Sequence, residues 1–288
     1  MQKLTNKITW EQAVLWLREQ PNQQELIKAC YYDDPLLSAS ERFFRSEEWI
    51  ETSKYLPSKP GLALDLGAGR GISSYALAKW GWNVTALEPD PSTIVGAGAI
   101  RSLAEESSLP IQVVQKWGEK LPFEDNSFDL VYGRQVLHHA VNLDSFCNEA
   151  FRVLKPGGRF IATREHVISC PEDLQKFLDG HPLNFLYGGE NAFLLDQYIT
   201  SIKRSGLSIN KVLGCFDSAI NYFPLSHENW VKACLNPIKR IFGTQLSSLI
   251  PKIPVAGEKI INILAHYQST KVQTPGRLYS FICEKPII

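Results

Sequence analysis

Gly67, Gly69 and Gly71 fall within five residues, directly after the apolar run "LALDL". Ligands of open parallel sheets bind beyond the carboxyl ends of the strands, so a glycine loop at that place invites a ligand against the main chain. Gly67 permits the tight turn, Gly69 the close approach, and Gly71 an early helix start. Glu88 ends the next apolar run, "NVTALE", about 20 residues after Gly67. A carboxylate there accepts hydrogen bonds from both hydroxyls of a ribose. The ligand expected is therefore a nucleoside derivative. The register is G-x-G-x-G, and Ile72 stands where the dinucleotide fingerprint has its third glycine, which disfavours a pyrophosphate at the helix start. No Gly-Lys-Ser or Gly-Lys-Thr follows, so the loop is not a P-loop.

The elements that must hold these residues can be read from periodicity. Thr9 and Gln12 form a capping box before a helix that Pro21 stops. A second helix is expected over about 23–31 and a third over about 40–56, stopped at Pro57, so residues 1–58 read as an N-terminal helical lid. From there strands alternate with helices: "LALDL", "NVTALE", "IQVVQ", "SFDLVYGR" and "RFIATRE" are separated by helical runs. "INKVLGCF" and "RLYSFICEK" supply two final strands. The fold expected is α/β, a doubly wound, seven-stranded, mostly parallel Rossmann-like sheet. Its core spans 59–216 and 277–288, and 217–276 is an inserted cap on the acceptor side, rich in aromatics and prolines.

Composition narrows the class. The formal net charge is zero, which disfavours nucleic acid as a partner. The first residues carry no apolar core of signal-peptide type, and no run approaches the length of a spanning helix. The six cysteines are scattered with no C-x-x-C pair, which argues for reduced thiols in a cytoplasm and against a zinc site, so no metal is expected. Contact with a membrane surface through 217–276 stays open, as does the oligomeric state.

Four segments in order, "LDLGAGRG", "ALEPD", "LPFEDNSFDLVYGRQVLHH" and "FRVLKPGGRFIA", resemble the class I S-adenosylmethionine-dependent methyltransferases, in particular their small-molecule, type 11-like branch. The resemblance covers about 61–161 and implies S-adenosylmethionine as the nucleoside. By that resemblance Asp65 orients the loop and reaches the amino group of the methionine part, while Gly67, Ala68, Gly69 and Gly71 pass beneath it. Glu88 takes the ribose hydroxyls and Pro89 packs on the adenine. The family's usual Asp-Ala pair before "LPF" is replaced here by Trp117 and Gly118, then Glu119. Trp117 is expected against the adenine, with Glu119 or a backbone group serving the amino group. Gln135 is a candidate for the methionine end. Arg134 is a candidate for the donor carboxylate, for an acid on the acceptor, or is a plain surface arginine. Tyr32, with Tyr31 and Arg42, is expected to reach the methionine carboxylate or the sulfonium from the lid, or to serve only as lid packing.

Methyl transfer from a sulfonium is an in-line displacement, and a hydroxyl acceptor must also lose a proton. Histidine is the natural base near neutral pH. His138 and His139 follow the fourth strand, and Glu165 and His166 are expected to follow the fifth, so the four meet at one rim with His139 the favoured base. His181, Tyr187 and Glu190, in a glycine-bearing loop, are candidates to line the acceptor site. The expected activity is methylation of a hydroxyl or amine on a small molecule, such as a natural product, sugar or hydrophobic metabolite. The alternatives are a catalytically silent methyltransferase-like binding protein and a nicotinamide-dependent oxidoreductase.

Overall fold

The computed structural model describes residues 8–287, so the opening residues read above for a signal peptide lie mostly outside it. Both halves of the capping box form ahead of α1 (Trp10–Arg18): Gln12 N donates to Thr9 Oγ1 at 3.2 Å and Thr9 N to Gln12 Oε1 at 3.0 Å. α2 (Gln24–Ala29) follows. The single helix expected next is two, α3 (Leu36–Phe44) and α4 (Glu47–Ser53). Ser46 breaks the run because its backbone turns extended and its hydroxyl accepts from Trp49 N at 3.1 Å, capping α4.

The α/β alternation then begins: β1 (Leu62–Leu66), α5 (Ile72–Lys79), β2 (Asn83–Leu87), α6 (Ala97–Ser107), β3 (Ile111–Val114), β4 (Phe128–Arg134), α7 (Leu143–Val153) and β5 (Leu154–Ile168). After it come α8 (Asp173–Gly180), α9 (Asn184–Tyr187), the two-residue β6 (Phe193–Leu194), α10 (Leu195–Arg204) and β7 (Ser208–Leu213). The segment 217–276 supplies α11 (Ala219–Tyr222), α12 (His227–Leu249) and α13 (Ala256–Lys271), before β8 (Arg277–Glu284) closes the chain.

The strand order is β3-β2-β1-β4-β5-β8-β7, with β8 antiparallel to both neighbours. These are the seven strands expected, and β6 adds an eighth by pairing with the end of β5. Strand order reverses between β1 and β4, which opens a crevice at their carboxyl ends. Alternate residues of β1 enter different cores. Leu64 and Leu66 pack with Val131, Phe160 and Phe281 on one face. Ala63 packs with Leu130, Trp49 and Leu77 on the other.

One boundary bears on the site. β5 runs on to Ile168, so Glu165 and His166 lie inside the strand, paired with Tyr279 and Leu278 of β8 across a register shift. The antiparallel partner, far away in sequence, is what prolongs it. In 217–276, α12 and α13 bury a small core of their own around Trp230, Cys234 and Ile261. All six cysteines are free thiols. Among the described residues no helix is long and apolar enough to cross a membrane.

α4 is tied to the sheet by charge. Glu48, fully buried, accepts from Arg134 Nε at 2.6 Å and Nη2 at 3.1 Å, and Arg164 Nη1 stands 3.7 Å away. Removing one partner of such a group leaves buried charge without compensation. Glu48→Ala should therefore destabilise the fold by about 3–5 kcal/mol. Denaturant unfolding checks this; a loss below about 1 kcal/mol, as for a surface pair, would show that the cluster does not anchor α4.

Candidate active site

The loop after β1 is shaped by main chain. Gly67 has φ +57°, and a Cβ on it would come within 2.4 Å of Val136 Cγ2. Gly69 has φ +54°, and its nearest neighbour on that side is Val95 O at 4.0 Å, so the missing side chain leaves space. Ala68 N donates to Leu87 O at 3.1 Å, which locks the loop to β2. Glu88 completes the lock: its two carboxylate oxygens accept from Gly69 N at 2.8 Å and Asp90 N at 2.9 Å. Burial pushes the Glu88 carboxyl up to about 7. Asp65, beneath the loop, accepts from Ser74 Oγ at 2.6 Å, and burial likewise raises it to about 7. Ile72, where a third dinucleotide glycine would fall, is buried in the core with Leu77 and Trp82.

One cavity of about 670 Å³ joins this loop to the histidines. Asp65, Gly67, Ala68, Gly69, Glu88, Pro89, Trp117, Gly118, Glu119, Arg134, Gln135 and Tyr32 all line it. Gly71 does not; it starts α5 beside Ile100 with φ +86°. Trp117 is 73% exposed, so its ring is free to cover a flat ligand. Glu119 Oε1 accepts from Val141 N at 3.1 Å. Arg134 requires a correction. Its fork is occupied by Glu48, with Nη1 on Gln135 Oε1 at 3.1 Å, so it is neither a surface arginine nor a free clamp for a ligand carboxylate. Burial works against its charge, and Glu48 more than restores it.

The histidine rim is real, but its members differ. His138, His139 and His166 line the cavity, and Glu165 does not. Glu165 is fully buried and accepts from Val136 N at 3.1 Å, His138 N at 3.0 Å and His138 Nδ1 at 2.7 Å. Glu165 is thus corrected from a reacting group to a positioning one that fixes the turn after β4. Burial keeps the His138 imidazole well below its ordinary pKa and pushes His166 down to about 3. His139 is exposed, with Nδ1 against Gly189 O at 3.0 Å. His181 and Glu190 complete the rim from the loop after α8; Tyr187 donates its hydroxyl to Glu190. Burial would raise the Glu190 carboxyl, but His139, His181 and His138 outweigh it and hold it below the ordinary value.

The N-terminal helices form one wall. Trp10 meets Tyr187 edge-on at 4.5 Å and Tyr32 at 5.6 Å, and Leu17 and Leu26 also face the cavity. Arg70, inside the glycine loop, ties that wall down by donating to Tyr31 O at 2.9 Å and Asp33 O at 3.0 Å and by pairing with Asp34. Nothing in the local sequence marks Arg70, or Glu48, for such partners, which lie tens of residues away. Among the described residues, 217–276 contributes nothing to the cavity lining. That segment acts from behind, where Ile220 O and Phe223 O accept from Arg164 Nη1 at 2.8 and 3.0 Å. Three non-glycine residues lining the cavity, Tyr31, Gln135 and Arg164, have φ near +60°. Such strain gathers where the surrounding structure fixes a functional geometry.

Residues 64–162 match the family model described as a methyltransferase domain. A ubiquinone biosynthesis O-methyltransferase from a Methylobacterium species is 36% identical over 103 residues, covering 35% of this chain and 40% of the relative. A sterol 24-C-methyltransferase from Gibberella zeae is 40% identical over 156 residues, covering 52% of this chain and 40% of the relative. The chain thus spans less than half the length of these curated relatives. Among solved structures, a Haemonchus contortus phosphoethanolamine N-methyltransferase in complex with S-adenosylhomocysteine is 18% identical with a TM-score of 0.55, covering 92% of this chain and 60% of that one. That likeness speaks for the fold alone.

Asp65 gives a test of the site's electrostatics. Its folded pKa, about 7, lies above the ordinary 3.8. A raised pKa favours the folded state at low pH and loses that contribution as pH rises through the folded value. The stability of the wild type minus that of Asp65→Asn should therefore fall between pH 4 and 7, by up to about 1.4 kcal/mol per pH unit. Thermal or denaturant unfolding of the ligand-free pair reads it. A flat difference would mean that the carboxyl titrates normally.

Proposed function

We propose, for a chain that carries a class I S-adenosylmethionine-dependent methyltransferase domain with that donor as its cofactor, that the whole protein methylates a hydroxyl or amine of a largely apolar small molecule. The single observation that carries this reading is the continuity of the cavity. It runs from the glycine loop and Glu88, past the histidines, to an apolar wall of Trp10, Leu17, Leu26 and Leu183.

The residues fit the donor. Gly69 leaves room for a ligand against the main chain. Each Glu88 oxygen has one N–H partner, so each keeps a lone pair for a ribose hydroxyl. Trp117 and Pro89 offer apolar surface to the adenine, and Gln135 and Asp65 offer polar atoms to the methionine part. Once bound, the donor supplies an electrophilic methyl on a sulfonium.

The chain's own residues do the rest. The wall formed by α1 and α2, clamped through Arg70, excludes water from the reacting end. For a hydroxyl acceptor, His139 takes the proton on Nε2, since the carbonyl of Gly189 can only accept and so keeps hydrogen on Nδ1. His138 is too deeply buried to hold that proton as a cation and instead orients the rim. An amine acceptor that arrives neutral needs alignment only.

Two variants test this. Glu88→Ala should weaken S-adenosylhomocysteine binding at least about tenfold, the loss expected for a charge-assisted contact, as read by calorimetry. NAD should not bind; binding of NAD without binding of S-adenosylhomocysteine would overturn the donor. His139→Ala should lower turnover about 10²- to 10⁴-fold while the donor Kd stays within about twofold of wild type. Equal losses in both would assign His139 a structural role, and donor binding with no turnover on any acceptor would favour a silent binding protein.

A further inference from the structure

We propose that His138, His139 and Glu190 form a binding site for one divalent transition-metal ion at the acceptor end of the cavity. Four of the six histidines in the sequence line this one cavity, and Glu190 faces them. One candidate ligand atom from each of His138, His139 and Glu190 lies within 4.8 Å of the other two.

The hydrogen bonds behind the rings make the arrangement more than a cluster. His138 Nδ1 is 2.7 Å from Glu165 Oε2, His139 Nδ1 is 3.0 Å from Gly189 O, and His166 Nδ1 is 2.8 Å from Gly276 O. Carbonyl and carboxylate oxygens accept only, so each Nδ1 carries the hydrogen and each Nε2 keeps a lone pair. A ring held through its far N–H by a carboxylate or carbonyl is the outer-shell pattern that orients histidine metal ligands. His181 has the opposite tautomer. Its Nδ1 accepts from Leu183 N at 3.4 Å, and its Nε2 faces Glu190 Oε1 at 3.6 Å, so it steadies Glu190 instead of ligating. Tyr187 also donates to Oε1, which leaves Oε2 for an ion.

The spacing fits. His138 Nε2 stands 3.7 Å from Glu190 Oε2, too long for a hydrogen bond. Two atoms that share an ion at about 2.1 Å lie roughly 3–4 Å apart. A two-imidazole, one-carboxylate set suits Zn2+, Co2+ or Fe2+ and not the all-oxygen preference of Mg2+ or Ca2+. Three protein ligands leave a position for water or for an acceptor atom. No spacing along the chain marks it, because the ligands come from a turn after β4 and a loop about 50 residues later. The role of the ion rests on the methyl-transfer reading: an acceptor hydroxyl bound to it releases its proton to solvent at lower pH, and His139 is then a ligand and not the base. Ion binding itself does not depend on that reading.

The test uses tag-free protein stripped with a chelator and titrated with Co2+, whose visible ligand-field bands report coordination. One equivalent should bind, and Zn2+ should displace it. Glu190→Gln and His139→Ala should each weaken Co2+ at least about tenfold, the lower end of what losing even an outer-shell partner costs, while His266→Ala, an exposed histidine outside the cavity, should change nothing. Calorimetry with S-adenosylhomocysteine on the same samples keeps the two readings apart. Retained product binding without stoichiometric Co2+, or Co2+ binding indifferent to both variants, overturns the metal site and leaves the methyltransferase reading standing. Since His139 is exposed, its variant should fold even if Glu190→Gln does not.

Discussion

The site depends on carboxylates taken out of water and satisfied by N–H groups of the loops they hold. Glu88 binds the glycine loop through Gly69 N, Glu165 binds the turn after β4 through Val136 and His138, and Glu48 binds the end of β4 through Arg134. A buried carboxylate is costly unless its partners are correctly placed, so each one selects a single arrangement of its loop. These three loops sit at the carboxyl edge of the sheet, where an open α/β fold leaves a crevice. The backbone there is shaped before any ligand arrives, as the positive φ of Gly67, Gly69 and Gln135 shows.

The same edge is enclosed by pieces that the sheet does not itself supply. The α1–α2 wall packs on the loop after α8 through Trp10 and Tyr187, and Arg70 joins that wall to the glycine loop. Contacts to the donor side and to the outer wall therefore share one residue. The helices of 217–276 support the site only from behind, bracing Arg164 through backbone carbonyls, while their own core lies apart. The cavity is lined instead by residues of 181–190.

The histidine rim of the cavity holds imidazoles in distinct environments. His138 is sealed and held by Glu165, His166 is held by Gly276 O, and His139 is open to the cavity. Burial keeps His138 and His166 uncharged at neutral pH, so the rim does not repel a cationic sulfonium as it would if every ring were protonated. Glu190, held below its ordinary pKa by the histidines, adds a negative charge on the cavity side of the rim. The relatives methylate oxygen and carbon, by their descriptions, and share only part of their length with this chain. The segment matched by the family model holds the glycine loop, Glu88 and the turn with His138 and His139, while His181 and Glu190 lie outside it.

Local chemistry made much of this legible in the sequence. The glycine loop, Glu88, the strand–helix alternation and the Thr9 capping box are contacts or conformations set by residues close along the chain, and each appears where the spacing put it. Ser46 was legible in principle, being a capping residue, yet the apolar period ran across it. Local pattern sufficed for the sheet, the place of its crevice and the glycine loop that lines the cavity, because periodicity and glycine spacing act over one or two turns of chain. Only the tertiary structure decided that Arg134 is spent on Glu48, that Glu165 is buried inside a prolonged β5, and that Glu190 meets the histidines. Each of those depends on a partner brought from a distant element, and no local pattern carries the identity of a partner that packing alone supplies.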